Sequence, residues 1–277
     1  MTSATTFTPL DGKTFRFRCY QEIACFTACC ADLNLVLTPY DVLRLKNRLG
    51  MSSADFLDRY TEPCVKQQGR FPLLRLKMNQ DPERRCPFVV KEGCEVYDDR
   101  PGACRIYPLG RAASKVGGGR ETRTRLFLVS EPHCLGLQED KTWTIEEWIE
   151  SEALNEYIDL NDQWLEITTS RKSLGRRADV LRKIQMFTMA SYNLDRFKAF
   201  VFESRFLDLF EVDPDLRERL RHDDPALLGF AMDWLKFSLF GEQTMKLKKA
   251  APQGANSSFS AGENLPGGSG PYSEGSG

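Results

Sequence analysis

The chain lacks the features that announce nucleic-acid binding, membrane insertion or histidine chemistry. Its 38 Lys and Arg are matched by 39 Asp and Glu, for a formal net charge of −1. No basic excess is available to collect phosphate backbones or anionic lipid, so neither nucleic acid nor membrane is expected as a partner. No apolar run approaches the roughly 18 residues of a membrane helix. The longest candidate, Ala226 to Phe240, is interrupted by Asp233 and Lys236 and reads as a buried core helix. Met1 to Arg18 is polar and has neither the apolar stretch nor the small-residue cleavage site of a secretory leader, which predicts a cytoplasmic protein. Only two histidines exist, His133 and His222, too few for histidine-based catalysis to be the leading idea. Gly117-Gly118-Gly119 does not form the G-x-G-x-x-G of a dinucleotide site and reads as a turn before a strand. Ser191 and Ser204 stand in no nucleophile-elbow context, and no repeat of solenoid or propeller period is present.

What the chain does have is cysteine: nine residues, all between Cys19 and Cys134. In a reducing compartment clustered thiols favour metal over disulfides, and an odd count fits a complete disulfide set poorly. Cys29 and Cys30 are adjacent, with Cα atoms about 3.8 Å apart, closer than an ordinary disulfide span. The spacings run Cys19-x5-Cys25-x3-Cys29-Cys30, then Cys86-x7-Cys94-x9-Cys104, and finally Cys134. No C-x2-C knuckle occurs, which removes zinc ribbons, zinc fingers and thioredoxin motifs. The ferredoxin run C-x2-C-x2-C-x3-C is absent, and Asp32 stands where a radical-SAM signature needs a cysteine. Thiolates are nevertheless the ligands of both zinc and iron–sulfur centres, four completing either. Eight would serve two such sites, or one site plus structural thiols. Arg100 and Arg105 bracket Cys104, and Arg84 and Arg85 precede Cys86. These cations either offset thiolate charge or pair with Asp98 and Asp99. His133 abuts Cys134, as an alternative ligand or a polar neighbour.

The secondary-structure signals are mixed. Thr38-Pro39-Tyr40-Asp41 opens a helix with Thr38 as N-cap, Val42, Leu45 and Leu49 on one face, and Gly50 as its stop. Ser52 to Asp55 opens a second helix carrying Phe56 and Tyr60. Leu73–Met78, Pro87–Val90 and Arg123–Val129 read as strands. Beyond Gly136 the pattern turns helical. Thr144 and Glu147 form a capping box, and Val180, Leu181, Ile184 and Phe187 form a stripe. Asp213-Pro214 and Asp224-Pro225 are further helix starts, and Leu227, Leu228, Ala231, Trp234 and Leu235 supply a broad apolar face. From Pro252 onward the chain is rich in Gly, Ser, Pro and Asn.

The ordered combination of these motifs resembles one family. Cys25-Phe26-Thr27-Ala28-Cys29-Cys30, Leu37-Thr38-Pro39-Tyr40-Asp41, and Leu49-Gly50-Met51-Ser52 with Phe56 follow its opening. Cys86-Pro87-Phe88, Cys94-Glu95-Val96-Tyr97, Arg100-Pro101-Gly102-Ala103-Cys104-Arg105 and Tyr107-Pro108-Leu109 follow its second half. This is similar to the YkgJ-type cysteine-cluster family, a zinc- or iron-chelating domain whose cluster is shared with the flagellin lysine N-methylases of bacteria. The resemblance covers about residues 15 to 136. It implies metal ligation by Cys19, Cys25, Cys29, Cys30, Cys86, Cys94, Cys104 and Cys134, and leaves Cys64 outside the pattern.

The expected fold class is α+β, mostly helical: a small cysteine-rich metal-binding domain over 1–136, an α-helical domain over 137–250 and a disordered tail over 251–277. The expected cofactor is an iron–sulfur cluster, [4Fe–4S] favoured, or zinc. One reading is a cofactor protein with redox or transfer chemistry acting on a protein substrate. The other is a non-enzymatic, zinc-stabilised module that binds a protein partner. Whether the chain is an enzyme stays open at this level.

Overall fold

The computed structural model describes residues 5–10, 12, 14–64, 69–115 and 122–248. The Gly117–Gly119 turn and the 251–277 tail lie outside them. The strands are β1 (Thr6–Pro9), β2 (Thr14–Arg16), β3 (Val36–Leu37), β4 (Thr61–Pro63), β5 (Leu74–Leu76), β6 (Val89–Val90), β7 (Gly93–Cys94), β8 (Leu109–Lys115), β9 (Thr122–Ser130) and β10 (Thr142–Thr144). The helices are α1 (Pro39–Arg48), α2 (Ser53–Tyr60), α3 (Gly102–Ile106), α4 (Ile145–Ser151), α5 (Asn155–Thr168), α6 (Arg177–Tyr192), α7 (Leu194–Glu203), α8 (Phe206–Leu209), α9 (Pro214–His222) and α10 (Asp224–Phe240). The pairings are antiparallel and local: β1-β9-β8, β10-β2, β3-β5-β4 and β6-β7. Small sheets in the first half and helices in the second make a mixed α+β architecture, as expected.

The helix starts follow their capping chemistry. Thr38 Oγ1 accepts from the Asp41 N–H at 3.3 Å while Asp41 accepts from the Thr38 N–H at 2.8 Å, a reciprocal box that fixes the first turn of α1. Thr144 and Glu147 repeat the device at α4, and Asp213 caps α9. At α10 the expected cap moves by one residue. Asp223 accepts from the Ala226 N–H at 2.9 Å, and Asp224 is already helical. The stripe expected on α6 also shifts. Leu181 is 67% exposed, and burial rises toward the C-terminus of the helix at Phe187, Met189, Ala190 and Tyr192. Strand β5 matches its alternation, with Leu74 and Leu76 buried either side of Arg75.

The packing does not divide at residue 136, where the cysteine distribution suggests a boundary. One core joins Leu37, Tyr40, Val42, Leu45 and Phe56 from α1, α2 and β3 to Tyr157, Ile167, Phe187, Phe197 and Trp234 from α5, α6, α7 and α10. The apolar face of α10 is its centre, with Leu227, Leu228, Ala231, Trp234 and Leu235 each no more than 2% exposed. Each of these leucines contributes roughly 1.5–3 kcal/mol on burial. A smaller cluster of Phe15, Phe17, Leu109, Trp148 and Leu154 seats β2, β10 and α4 beside it. Among the described residues no helix is long and apolar enough to cross a membrane.

Polar ties cross the same seam. Lys46, 6% exposed on α1, donates to Asp195 Oδ1 at 2.9 Å, and the Ser53 N–H donates to Asp195 Oδ2 at 2.6 Å. Burial alone would raise the Asp195 pKa, but the Ser53 N–H and Lys46 outweigh it and hold the carboxyl below its ordinary value. A depressed carboxylate stabilises the fold fully above its ordinary pKa, about 3.9, and loses that contribution as pH falls through the lower folded value. Asp195→Ala should therefore cost about 2 kcal/mol in urea denaturation at pH 7. The deficit should shrink below pH 4, and unfolding should stay a single transition read by tryptophan fluorescence and circular dichroism. Two separated transitions would show that the halves fold independently.

Candidate metal centre

Four stretches of chain bring the cysteines together. The first winds through successive turns from Tyr20 to Cys30, with the N–H groups of Ile23, Phe26, Ala28 and Cys30 donating three residues back. Ala28–Cys30 is a single 3₁₀ turn. Thr27 enters it at φ 64°, and Asp32 leaves it at φ 49°. A side chain with Cβ is costly there, so both positions are held by their surroundings. Asp32 is held by Arg84, itself at φ 50°: the carboxylate and guanidinium meet at 3.1 Å, and the Asp32 N–H donates to the Arg84 carbonyl at 3.0 Å. The Cys86 N–H then donates to the Cys30 carbonyl at 2.7 Å, which sets Cys30 and Cys86 side by side.

The other stretches are fixed by a charge and by an absent side chain. Asp41, 1% exposed, accepts from the Thr38 N–H and, through its other oxygen, from the Gly102 N–H at 2.7 Å. Burial raises its pKa despite these donors. The carboxylate thereby anchors the start of α3, which carries Cys104. Tyr157 of α5 completes the seat by donating to the Arg100 carbonyl at 3.2 Å. A Cβ at Gly102 would approach the Tyr157 ring to 3.1 Å, so glycine permits this contact. At the far end, a Cβ at Gly136 would stand 2.8 Å from both the Arg18 carbonyl and the Phe17 ring. With no side chain there, the Arg18 N–H reaches the Gly136 carbonyl at 3.0 Å, and Cys19 comes beside Cys134.

The result is one thiol neighbourhood around Cys29. A hydrogen bond with Cys30, then burial, then Cys30 and Glu131 electrostatics raise the Cys29 pKa. Burial, followed by Cys29, Cys25 and Cys134, pushes Cys19 up to about 11. Burial, with contributions from Cys94 and Cys29, pushes Cys86 up to about 11. Burial also raises Cys94 and Cys104, and Cys29 adds to both. The buried Tyr107 hydroxyl, with no hydrogen-bond partner of ordinary geometry, lies beside Cys134. Opposing this mutual repulsion, backbone N–H groups point at sulfurs: Leu135 at Cys25, 3.3 Å away, Phe88 and Val89 at Cys86, and Val96 at Cys94. Such donors stabilise thiolate, the form that binds metal.

All eight expected ligand positions thus interact with at least one other thiol. Cys64 does not: its neighbours are Arg75, Glu62 and, through Tyr192, the helical core. Arg100 pairs with Glu152 and lies 3.8 Å from the Tyr97 ring centroid, yet its charge still lowers the Cys19 and Cys94 pKa values. Arg105 donates to the Glu152 and Asp98 carbonyls. His133 pairs with Glu131 at 3.2 Å. Among the described residues no three His, Cys, Asp or Glu side chains are grouped closely enough to hold one ion. The thiols share a neighbourhood without forming a closed shell. By donor chemistry the set still fits a zinc or iron–sulfur centre, because thiolate crowding is what a bound cation relieves.

A thiol-rich centre built on short sheets and turns, packed against a helical core, defines this as a cysteine-cluster protein. Residues 18–135 match the CxxCxxCC family model, described as "Putative zinc- or iron-chelating domain", so this stretch of the chain is similar to that cysteine-cluster family. The family's name spells C-x2-C-x2-C-C, whereas here the run is Cys19-x5-Cys25-x3-Cys29-Cys30, the extra residues being taken up by the turns from Tyr20 to Thr27. No curated protein and no solved structure matches the chain.

Two substitutions test how the neighbourhood is held. Asp41→Ala should cost about 3 kcal/mol in urea denaturation, because it orphans two backbone donors of a charged acceptor. Amide exchange at Gly102 to Arg105 should accelerate; unchanged exchange there would contradict the anchoring role. Gly136→Ala should separate Cys19 from Cys134, so a thiol-bridging bis-maleimide of short span should join that pair in the wild type and not in the variant. Equal bridging would mean that the close approach at Gly136 does not set their spacing.

Proposed function

We propose that this chain is a metal protein whose thiolates hold an iron–sulfur cluster, of the [4Fe–4S] type in preference to zinc. The carrying observation is that Cys19, Cys25, Cys29, Cys30, Cys86, Cys94, Cys104 and Cys134, from four separate stretches of chain, are each coupled electrostatically to at least one other of these thiols. The zinc- or iron-chelating description of the matched family supports metal binding. Iron–sulfur clusters accept widely spaced cysteines, and the chain has no C-x2-C knuckle, the usual local signature of structural zinc. N–H donors to the sulfurs of Cys25, Cys86 and Cys94 are the kind of contact that tunes a cluster's potential. When bound, such a cluster supplies one-electron redox or Lewis-acid chemistry. This chain's residues would hold it, offset its charge through Arg100 and exclude water on the side of the shared core.

One observation favours structural zinc as the second reading. The stretches bearing the thiols contain only two-residue strands and 3₁₀ turns around α3, so a metal there would stand in for missing core. In that case the protein is a module whose surface binds a protein partner.

Metal and acid-labile sulfide analysis of anaerobically purified full chain separates the two. The expected preparation is brown, bleaches with dithionite and carries iron and sulfide in comparable amounts. Cys29→Ser should lose them, and Cys64→Ser should retain them. A colourless protein with stoichiometric zinc after iron-replete expression would overturn the iron–sulfur assignment. Metal lost from Cys64→Ser alone would overturn the ligand set.

A further inference from the structure

Tyr107 stands in the Tyr107-Pro108-Leu109 motif, where α3 hands over to β8, and it is pinned from both sides. The Trp148 Nε1–H donates to the Ile106 carbonyl at 3.0 Å, and the Val129 N–H donates to the Pro108 carbonyl at 2.8 Å. The ring packs edge-on against Phe17, with centroids 5.8 Å apart and planes at 79°. Cys134 packs against the same cluster, which includes Phe15, Phe17 and Trp148. Its backbone is fixed as well. The Cys134 N–H donates to the Glu131 carbonyl at 2.9 Å, and the next N–H, that of Leu135, points at Cys25. The phenol and the sulfur are thus brought together by two segments that are each held in place independently.

This places an unused donor at the thiol centre. The Tyr107 hydroxyl is buried and meets no partner of ordinary geometry among the described residues, and the sulfur beside it is that of Cys134. A buried hydroxyl left so carries the cost of an unmade hydrogen bond. A neutral thiol is a weak acceptor and does little to relieve it. A metal-bound thiolate offers only lone pairs, and a hydrogen bond to a charged acceptor is the stronger kind. Glu131, the nearby carboxylate, is engaged with His133 at 3.2 Å. We propose that the Tyr107 hydroxyl donates to the Cys134 sulfur when that sulfur ligates the metal, which makes Tyr107 a positioning residue of the centre. The inference rests on the metal reading of the site and adds a residue to it. The donors aimed at Cys25, Cys86 and Cys94 are backbone N–H groups, whereas this one belongs to a side chain. Its single oxygen can be removed without disturbing the chain path.

The test is a cobalt(II) titration of the reduced full chain, because cobalt occupies thiolate sites and its sulfur-to-metal absorption band reports on the sulfurs. Tyr107→Phe keeps the ring and should bind cobalt about tenfold more weakly than the wild type. Its band should move to lower energy as the sulfur loses a hydrogen bond. In a Cys134→Ser background the same substitution should change neither affinity nor band. In the zinc-loaded wild type, a tyrosine hydroxyl proton should show a nuclear Overhauser contact to the Cys134 β protons, a reading that needs no variant. Identical affinity and band in Tyr107→Phe, an equal shift in the Cys134→Ser background, or no such contact would each overturn the inference alone. A wild-type chain that develops no sulfur-to-cobalt band would contradict the metal reading itself, and this inference with it.

Discussion

The buried carboxylate of Asp41 is the contact on which the rest of the architecture turns. It closes the capping box that starts α1, and its second oxygen holds the first N–H of α3 across 61 residues of sequence. One charge thus aligns the helix that packs on the common core with the helix that carries Cys104. A carboxylate at 1% exposure is costly to bury, and its raised pKa reflects that. Donors at both oxygens offset the cost and leave no room for a substitute of different shape. The arrangement makes the thiol centre rigid on the side of α1 and α5, where Tyr157 and Arg105 add further ties.

On its other sides the centre is held by turns, and there the thiols favour the protonated, uncharged form when no cation is bound. Burial and neighbouring thiols raise the pKa of Cys19, Cys29, Cys86, Cys94 and Cys104 together. Ionised together, these thiols would need a compensating positive charge, and Arg100 alone would be too little. A metal centre would supply that charge, and the N–H groups of Leu135, Phe88, Val89 and Val96 already face the sulfurs that would carry the bonds. The fold therefore joins a core completed by helices to a thiol site that, on the proposed function, ligation would complete.

Much of this was legible in the sequence wherever the cause is local. Thr38, Ser52, Thr144 and Asp213 declare helix starts because a cap acts within three residues. Leu227 to Leu235 declares a buried helix through its periodicity. The exceptional standing of Cys64 was also legible, from its place outside the motif. The second task of Asp41 was not, because its partner Gly102 is distant in sequence and no local pattern marks a carboxylate that serves two helices. The close approach at Gly136 reads in sequence as a break, since a glycine there suits a linker as well as a contact. For the same reason the apparent boundary at 136 is one of composition: cysteines end there, but the apolar faces on either side were made for each other.

On the proposed function, sulfur from the Cys29 neighbourhood ligates a metal in the native protein. X-ray absorption at the iron and zinc edges of the anaerobically purified full chain measures that shell directly. The expected result is a first shell of about four sulfurs near 2.3 Å, with a further iron–iron scattering path at the iron edge. A first shell of oxygen and nitrogen alone, at either edge, would contradict it.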